Sequence, residues 1–334
     1  MTKTISFFLA VTFSLTSSFG QGKIAKFKIE GKVQGYSSGT MLYFHDLSDG
    51  SYKKIDSAII TNDKFTFNGR LKTKYLKSAI STTDFTDRIT FWIEKGLTSF
   101  IAEKGGFNKA IIKGFKIQDD QNSLNKTLEN ADNQKRAEYE FIKGNPKSIV
   151  SAYVLSVYCS SWNKDTVSTL FNSFSKEVKA TNYGKKIFDF ISLNRNIKIG
   201  NKFVDFAQKD TSNKVVKLSD IEGKIVLLEF WGSWCGPCRE ENPLLVKIYN
   251  EFKQKGFEIF GVASETDKLQ WKKAIKADGL TWTNVTDLNG SNNKAAMIYG
   301  VSGYPSNFLI DKDGTIIAKD VYGDDLRKCL IKSL

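Results

Sequence analysis

Ile225-Val226-Leu227-Leu228-Glu229-Phe230-Trp231 runs into Gly232-Ser233-Trp234-Cys235-Gly236-Pro237-Cys238 and on through Arg239-Glu240-Glu241-Asn242-Pro243. The first seven residues are a near-continuous apolar run, the pattern of a central strand covered on both faces. A helix is expected from about Gly236 to Phe252. The Cys-X-X-Cys pair then lies between a buried strand and a helix, with its first sulfur at the helix N-terminus. Unpaired backbone N–H groups and the positive end of the helix dipole favour thiolate over thiol there. The second sulfur falls about one turn into the helix, near enough to close a disulfide ring and less exposed. That asymmetry suits thiol–disulfide exchange. Cys235 attacks a substrate disulfide and forms a mixed disulfide, and Cys238 attacks Cys235 and releases the reduced product. Run backwards, the same steps oxidise a substrate.

Outward from this segment, the chain from about residue 197 reads as alternating strand and helix. Val215-Val216 is a short strand, Phe257 to Val262 a second buried strand, and Lys268 to Ala277 a helix. Phe308-Leu309-Ile310 and Thr315-Ile316-Ile317 flank Asp313-Gly314, a hairpin turn signal. A short helix near Leu326 to Ile331 ends the chain. The sum is a mixed sheet flanked by helices.

Residues 117–195 have helical spacing instead. Tyr153, Val154, Val157 and Tyr158 mark one face, Leu170, Phe171, Phe174 and Val178 another. Asn145-Pro146-Lys147-Ser148 reads as a helix start. Residues 21–115 read as a small antiparallel β domain. Phe27 and Ile29 alternate with charges, as do Phe65 and Phe67, and apolar runs recur at Ile59-Ile60, Phe91-Trp92-Ile93, Phe100-Ile101 and Ile111-Ile112. Asp49-Gly50, Asn62-Asp63, Asn68-Gly69 and Gly105-Gly106 read as the turns between them. His45, beside Phe44 in such a strand, is read as structural.

Residues 196–334 resemble the thioredoxin-like superfamily, most closely the exported TlpA/ResA-type thiol–disulfide oxidoreductases. The resemblance rests on Glu229 to Pro243 together with Gly303-Tyr304-Pro305-Ser306-Asn307-Phe308-Leu309-Ile310-Asp311. Residues before it resemble the β-rich domain of unknown function that precedes such modules in envelope proteins of Gram-negative bacteria, which implies no chemistry. The first resemblance implies that Cys235 and Cys238 form a redox-active disulfide. It implies that Pro305 is a cis-proline facing the pair, which leaves the Tyr304 backbone free to bind a substrate strand. Tyr304 is bulkier than the family's usual residue there. Glu229 matches a buried acid beneath the second cysteine, a proton relay for Cys238. Pro243 matches a helix-kinking proline. Trp234 shields the disulfide, Gly236 and Pro237 complete the substrate-facing surface, and Trp231 belongs to the core. The division expected is 1–20 signal peptide, 21–115 β-rich domain, 116–195 helical connector and 196–334 thioredoxin-like domain.

Composition narrows the function classes. The chain has 334 residues, four of them Cys, and a single His, which excludes a dense disulfide scaffold and a multi-histidine metal site. No metal or cofactor is expected. CXXC is also half of a zinc site, but no second half is present. A peroxiredoxin-like peroxidase needs Pro-X-X-X-Thr-X-X-Cys, and Trp-Cys-Gly-Pro-Cys stands instead. Cys159 and Cys329 are read as two separate thiols.

The net charge is +13, and residues 201–334 hold 19 Lys+Arg against 18 Asp+Glu, so the excess lies before residue 201. The lysines there are scattered, which argues against nucleic acid. Solvation is the plain reading, and peripheral contact with an anionic membrane surface the alternative. Met1 to Gly20 reads as a signal peptide, Lys3 before an apolar stretch and small residues after it, so the protein is expected in the periplasm or cell envelope. Gly-Pro between the cysteines is the pairing of reducing thioredoxins, near roughly −270 mV against about −120 mV for oxidants. A reductase of protein disulfides is therefore expected, with thiol or disulfide client proteins and a membrane thiol electron donor as partners. A disulfide oxidase or isomerase, or a peroxiredoxin-like peroxidase, stands as one alternative. A binding protein whose recognition module is residues 21–195 stands as the other.

Overall fold

Phe27, Ile29 and Val33 point inward and Lys26, Lys28 and Lys32 outward along β1 (Ala25–Gln34), the period-two pattern of a strand with one covered face. The computed structural model describes residues 25–48, 51–221 and 223–334. The expected signal peptide and the Asp49-Gly50 turn lie outside the described residues. The chain divides into two compact units between Ser123 and Leu124.

In the first unit β1 is followed by β2 (Met41–Asp46), β3 (Lys53–Ile59), β4 (Lys64–Leu71), β5 (Tyr75–Thr82), β6 (Arg88–Glu94), β7 (Gly96–Glu103) and β8 (Ile111–Lys113). They form two four-stranded sheets, ordered β4-β1-β7-β8 and β3-β2-β5-β6. Antiparallel pairing dominates, and β1 with β7 is parallel. Asn62 and Asp63 both have positive φ, 51° and 61°, the conformation a tight hairpin turn requires. Asn68-Gly69 is not a turn. It lies inside β4, where Gly69 stands opposite Phe27 and Gly31 opposite Phe65. A Cβ on Gly69 would lie 2.4 Å from the Phe27 ring, and one on Gly31 2.0 Å from the Phe65 ring. Each glycine is there because an aromatic ring lies across it.

The helix α1 (Lys116–Glu129) contains the division between the units. After it come α2 (Gln134–Gly144), α3 (Ile149–Tyr158), α4 (Lys164–Ser173), α5 (Lys176–Lys179) and α6 (Asn182–Leu193). Ser148 caps α3, its hydroxyl accepting from the Val150 N–H at 3.2 Å. The expected face of α3 splits. Val154 is buried, while Val157 and Tyr158 are exposed. The helix is buried on several sides through Val150, Ala152, Val154 and Leu155 and emerges in its last turn. Leu170, Phe171, Phe174 and Val178 are all buried.

The rest of the second unit comprises β9 (Ala207–Asp210), β10 (Val215–Lys217), β11 (Ile225–Trp231), α7 (Gly236–Phe252), β12 (Phe257–Ala263), α8 (Lys268–Asp278), β13 (Thr283–Thr286), α9 (Lys294–Tyr299), β14 (Ser306–Ile310), β15 (Ile316–Lys319) and α10 (Gly323–Ser333). The seven-stranded sheet runs β10-β9-β13-β12-β11-β14-β15. The pairs β11–β12 and β12–β13 are parallel, and β11–β14 and β14–β15 antiparallel. Every residue of β11 is buried. Ile225, Leu227 and Trp231 enter one core with Leu245, Ile248, Trp271 and Leu326, while Val226, Leu228 and Phe230 enter another with Phe260, Tyr299 and Phe308. Each such side chain contributes ~1.5–3 kcal/mol by leaving water.

The helical segment is joined to this sheet layer by polar bonds. Asn194 Nδ2 donates to the Met297 carbonyl of α9 at 3.1 Å and the Arg195 N–H to the Ile298 carbonyl at 3.1 Å, while Lys164 Nζ of α4 braces the end of α6 by donating to the Asn194 carbonyl at 2.7 Å.

Candidate active site

The chain leaves β11 at Trp231 and re-enters regular structure at Gly236. Cys235 is the N-cap of α7, and the Cys238 N–H points at the Cys235 sulfur at 3.2 Å. Pro237 stands in the first turn, where a missing N–H leaves no bond unmade. Cys235 and Cys238 form a disulfide, with Cα atoms 5.3 Å apart. Both sulfurs belong to the core cluster that includes Trp231 and Leu245. Gly236 and Pro237 are exposed, and a Cβ on Gly236 would meet nothing within 4 Å. Gly236 and Pro237 thus face solvent, while Cys235 and Cys238 themselves are only 4% and 1% exposed.

Trp234 is 62% exposed, yet it is fixed. Its indole N–H donates to the Ser264 carbonyl at 2.8 Å, and its ring meets Tyr304 edge-on at 5.6 Å. Gly232 makes room for the ring, since a Cβ there would lie 2.7 Å from the indole nitrogen. Tyr304 is half-buried against the cluster that holds both cysteines, and its hydroxyl shares a 2.5 Å hydrogen bond with Ser264. Burial pushes the Tyr304 phenol up from its ordinary range. The Tyr304–Pro305 peptide is cis. The Pro305 carbonyl accepts from the Tyr322 hydroxyl at 2.9 Å, which ties this loop to the head of α10.

Glu229 lies between Leu227 and Trp231 on one face of β11. Strand alternation aims it toward the core that contains Cys238. It is 5% exposed. Burial holds its carboxyl well above the usual carboxylate range, Asn307 opposes this by hydrogen bonding, and Glu241 and Asp320 add to the rise. Asn307 is its cross-strand partner. Pro243 lies inside α7.

Residues given no role in the sequence reading complete the site. The Ser233 N–H donates to the Glu265 carboxylate. Burial raises the Glu265 carboxyl, and the bonds from Ser233 partly offset it. Arg239 Nη1 donates to the Ser233 carbonyl at 3.2 Å. Arg239 was inside the quoted motif. Ser264 and Glu265 directly follow β12, the strand beside β11, and that adjacency was the available signal.

Two family models match the chain: the AhpC/TSA family over residues 199–319 and the Domain of unknown function (DUF4369) over residues 27–121. The thiol-disulfide oxidoreductase ResA of Bacillus cereus is 33% identical over 141 residues, which cover 42% of this chain and 79% of that protein. The chain belongs to the ResA family of thiol-disulfide oxidoreductases. ResA of Bacillus subtilis is 35% identical over 118 residues, covering 35% of this chain and 64% of that one. A solved thioredoxin domain of a thiol-disulfide oxidoreductase from Bacteroides vulgatus shares 36% identity, covers 41% of this chain and 97% of that one, and superposes with a TM-score of 0.39.

The ResA match concerns the thioredoxin-like part of the second unit. Cys159 and Cys329, the latter in α10, are free thiols, the first buried and the second partly so. Burial pushes the Cys159 thiol up to about 11. His45 is buried, with Nε2 2.9 Å from the Ser81 hydroxyl and its ring against Tyr52 and Phe85. Among the described residues no His/Cys/Asp/Glu group could hold a metal ion, and no helix is long and apolar enough to cross a membrane.

Proposed function

We propose that this ResA-family enzyme is exported and reduces protein disulfides in the cell envelope through Cys235 and Cys238. The Cys235 thiolate attacks one sulfur of the client disulfide, that S–S bond breaks, and the departing client thiolate takes up a proton. The Cys238 thiolate then attacks the Cys235 sulfur of the mixed disulfide. The second client thiolate leaves, and the enzyme keeps the Cys235–Cys238 disulfide. Two electrons pass from enzyme to client, and a membrane thiol donor restores the dithiol. In its ionised form Glu229 takes the Cys238 proton in the second step. Trp234, Gly236, Pro237, Tyr304 and Pro305 form the surface against which the client lies.

The observation that carries this reading is the seat of Cys235. Its sulfur faces the Cys238 N–H at 3.2 Å at the N-terminus of α7, next to the exposed Gly236 and Pro237. A negative sulfur is stabilised there by an oriented donor and by the helix dipole. Residues 21–115 and 116–195 are assigned client recognition and support, and 196–334 the chemistry. The excess positive charge before residue 201 favours acidic clients or anionic lipid heads.

An equilibrium redox titration of Cys235/Cys238 tests the direction. A midpoint near roughly −270 mV is expected, and one above about −150 mV makes the protein an oxidase or isomerase. The AhpC/TSA match makes peroxide consumption worth one assay. Reduction of hydrogen peroxide faster than of insulin disulfides would replace this reading with a peroxidase.

A further inference from the structure

One residue of the loop between β11 and α7 is gripped by charged groups at both its backbone N–H and its backbone carbonyl. The Ser233 N–H donates to the Glu265 carboxylate, and the Ser233 carbonyl accepts from Arg239 Nη1 at 3.2 Å. The guanidinium is itself held. Arg239 Nε and Nη2 donate to the two carboxylate oxygens of Asp278 at 2.5 and 2.7 Å. This is the planar fork that arginine can make and lysine cannot. Asn242 Nδ2 also donates to Asp278 Oδ2, at 2.7 Å. The Asp278 side chain is only 10% exposed and that of Arg239 33%, so the pair is partly shielded from water. Glu265 stands two residues before the N-cap of α8, and Asp278 is the last residue of that helix. Both grips on Ser233 are therefore anchored at opposite ends of α8.

We infer that Arg239 and Asp278 are positioning residues for Cys235, the fork on Asp278 fixing the guanidinium that holds the Ser233 carbonyl and with it the turn from Gly232 to Cys235. The inference rests on the exchange reaction proposed at Cys235. Ser233 and Trp234 are the middle residues of that turn, which the Cys235 N–H closes on the Gly232 carbonyl at 3.1 Å. If the Ser233 peptide rotates, Cys235 swings with it. Its sulfur then loses its alignment with the Cys238 N–H, and a hydrogen bond weakens steeply with misalignment. A second role is open to Arg239, that of a plain positive charge near the thiolate. The two roles predict different signs. A charge effect makes loss of Arg239 and loss of the Asp278 charge act in opposite directions on the acidity of Cys235. A clamp makes both act in the same direction, because either change frees the Ser233 carbonyl.

The experiment uses the full chain in its reduced form. Iodoacetamide alkylation of Cys235 is followed against pH by peptide mass, which separates it from the other thiols, and oxidised glutathione serves as the disulfide substrate. Arg239→Met and Asp278→Asn are each expected to move the alkylation midpoint upward. Each is expected to slow glutathione disulfide reduction by about tenfold, within the range that small misplacements of a reacting group cost. The double variant is expected to be no slower than the slower single one, because both break the same link. Arg239→Lys is expected to keep the charge and still show the upward shift. Midpoints that move in opposite directions in Arg239→Met and Asp278→Asn would reduce Arg239 to a charge. Unmoved midpoints with a lower Tm would reduce the pair to a structural brace. Should Arg239→Met fail to fold, Asp278→Asn and Arg239→Lys decide the matter, since each keeps the shape and part of the hydrogen bonding. An unmodified protein with an ordinary thiol midpoint at Cys235 and no exchange with oxidised glutathione would instead sink the exchange reaction itself, whatever the variants do.

Discussion

Each unit of the molecule buries a carboxylate to the same depth, and the two are treated oppositely. Asp87 in the first unit is 5% exposed and accepts from the Tyr36 hydroxyl, from the Gly105 N–H at 2.6 Å and from the Phe107 N–H at 3.3 Å. Glu229 in the second unit is also 5% exposed, but it has Asn307 for a donor and two further carboxylates, Glu241 and Asp320, raising it. Donors replace the water that a buried charge has lost. With three of them Asp87 works as a bolt that joins the 36, 87 and 105–107 segments. With few of them Glu229 favours its protonated form, and a group in that condition can give up and take back a proton. Burial alone does not decide which form an acid favours; the balance of donors around it does.

The largest test of this contrast separates chemistry from architecture. Cys235→Ser is expected to lower insulin disulfide reduction by at least about a thousandfold, because the nucleophile is gone. Far-UV circular dichroism should stay unchanged. Asp87→Ala is expected to do the reverse. It strands two backbone N–H groups and a phenol, at a cost of about 2–4 kcal/mol in denaturant unfolding of the first unit, with the reduction rate changed less than about twofold. A large loss of activity in Asp87→Ala would erase the distinction between the two acids.

Glu229→Gln sharpens the contrast from the other side. Mixed-disulfide resolution, followed by release of a fluorescent client thiol, is expected to slow by about tenfold near pH 7. Stability should move the opposite way. The folded protein keeps a proton on Glu229 that the unfolded chain gives up near pH 4, so unfolding is favoured increasingly as pH rises from there through the raised folded value. The variant lacks that penalty. Its Tm should match the unmodified protein at about pH 4 and exceed it near neutrality. Equal Tm values across the range would mean that Glu229 is not held protonated. The smallest expected effect belongs to removal of residues 1–123. Reduction of a generic disulfide by residues 124–334 should stay within about twofold, whereas capture of natural clients by a Cys238→Ser trap should fall.

How much of this was legible in the sequence depended on how local each signal was. Ile225–Trp231 shows its burial on both faces in seven adjacent letters, and Cys235-Gly236-Pro237-Cys238 shows the spacing of its disulfide in four. The strands β9 and β13 and the helix α9 went unread. Thr283-Asn284-Val285-Thr286 holds a single apolar residue, and α9 has only six residues, too few for a period to declare itself. Asn68-Gly69 has the composition of a turn and is a strand, because what Gly69 accommodates is Phe27, forty-two positions earlier in the chain. The supports of the candidate site were hidden for the same reason. Glu265, Asp278 and Asn307 follow the cysteines by dozens of residues, and only the parallel pairing of β12 with β11 and the antiparallel pairing of β14 bring them near.

The two glycine–phenylalanine couples of β1 and β4 also govern how those strands find each other. As paired, Phe27 and Phe65 each lie across bare backbone. If β4 slid by two residues, Phe27 would confront Leu71 or Phe67, and Phe65 would confront Val33 or Ile29. Two bulky groups would then compete for room that one ring now fills. The couples work like two teeth of a zip fastener set four residues apart. A pairing of β1 with β4 that is off by one notch fails at both teeth together.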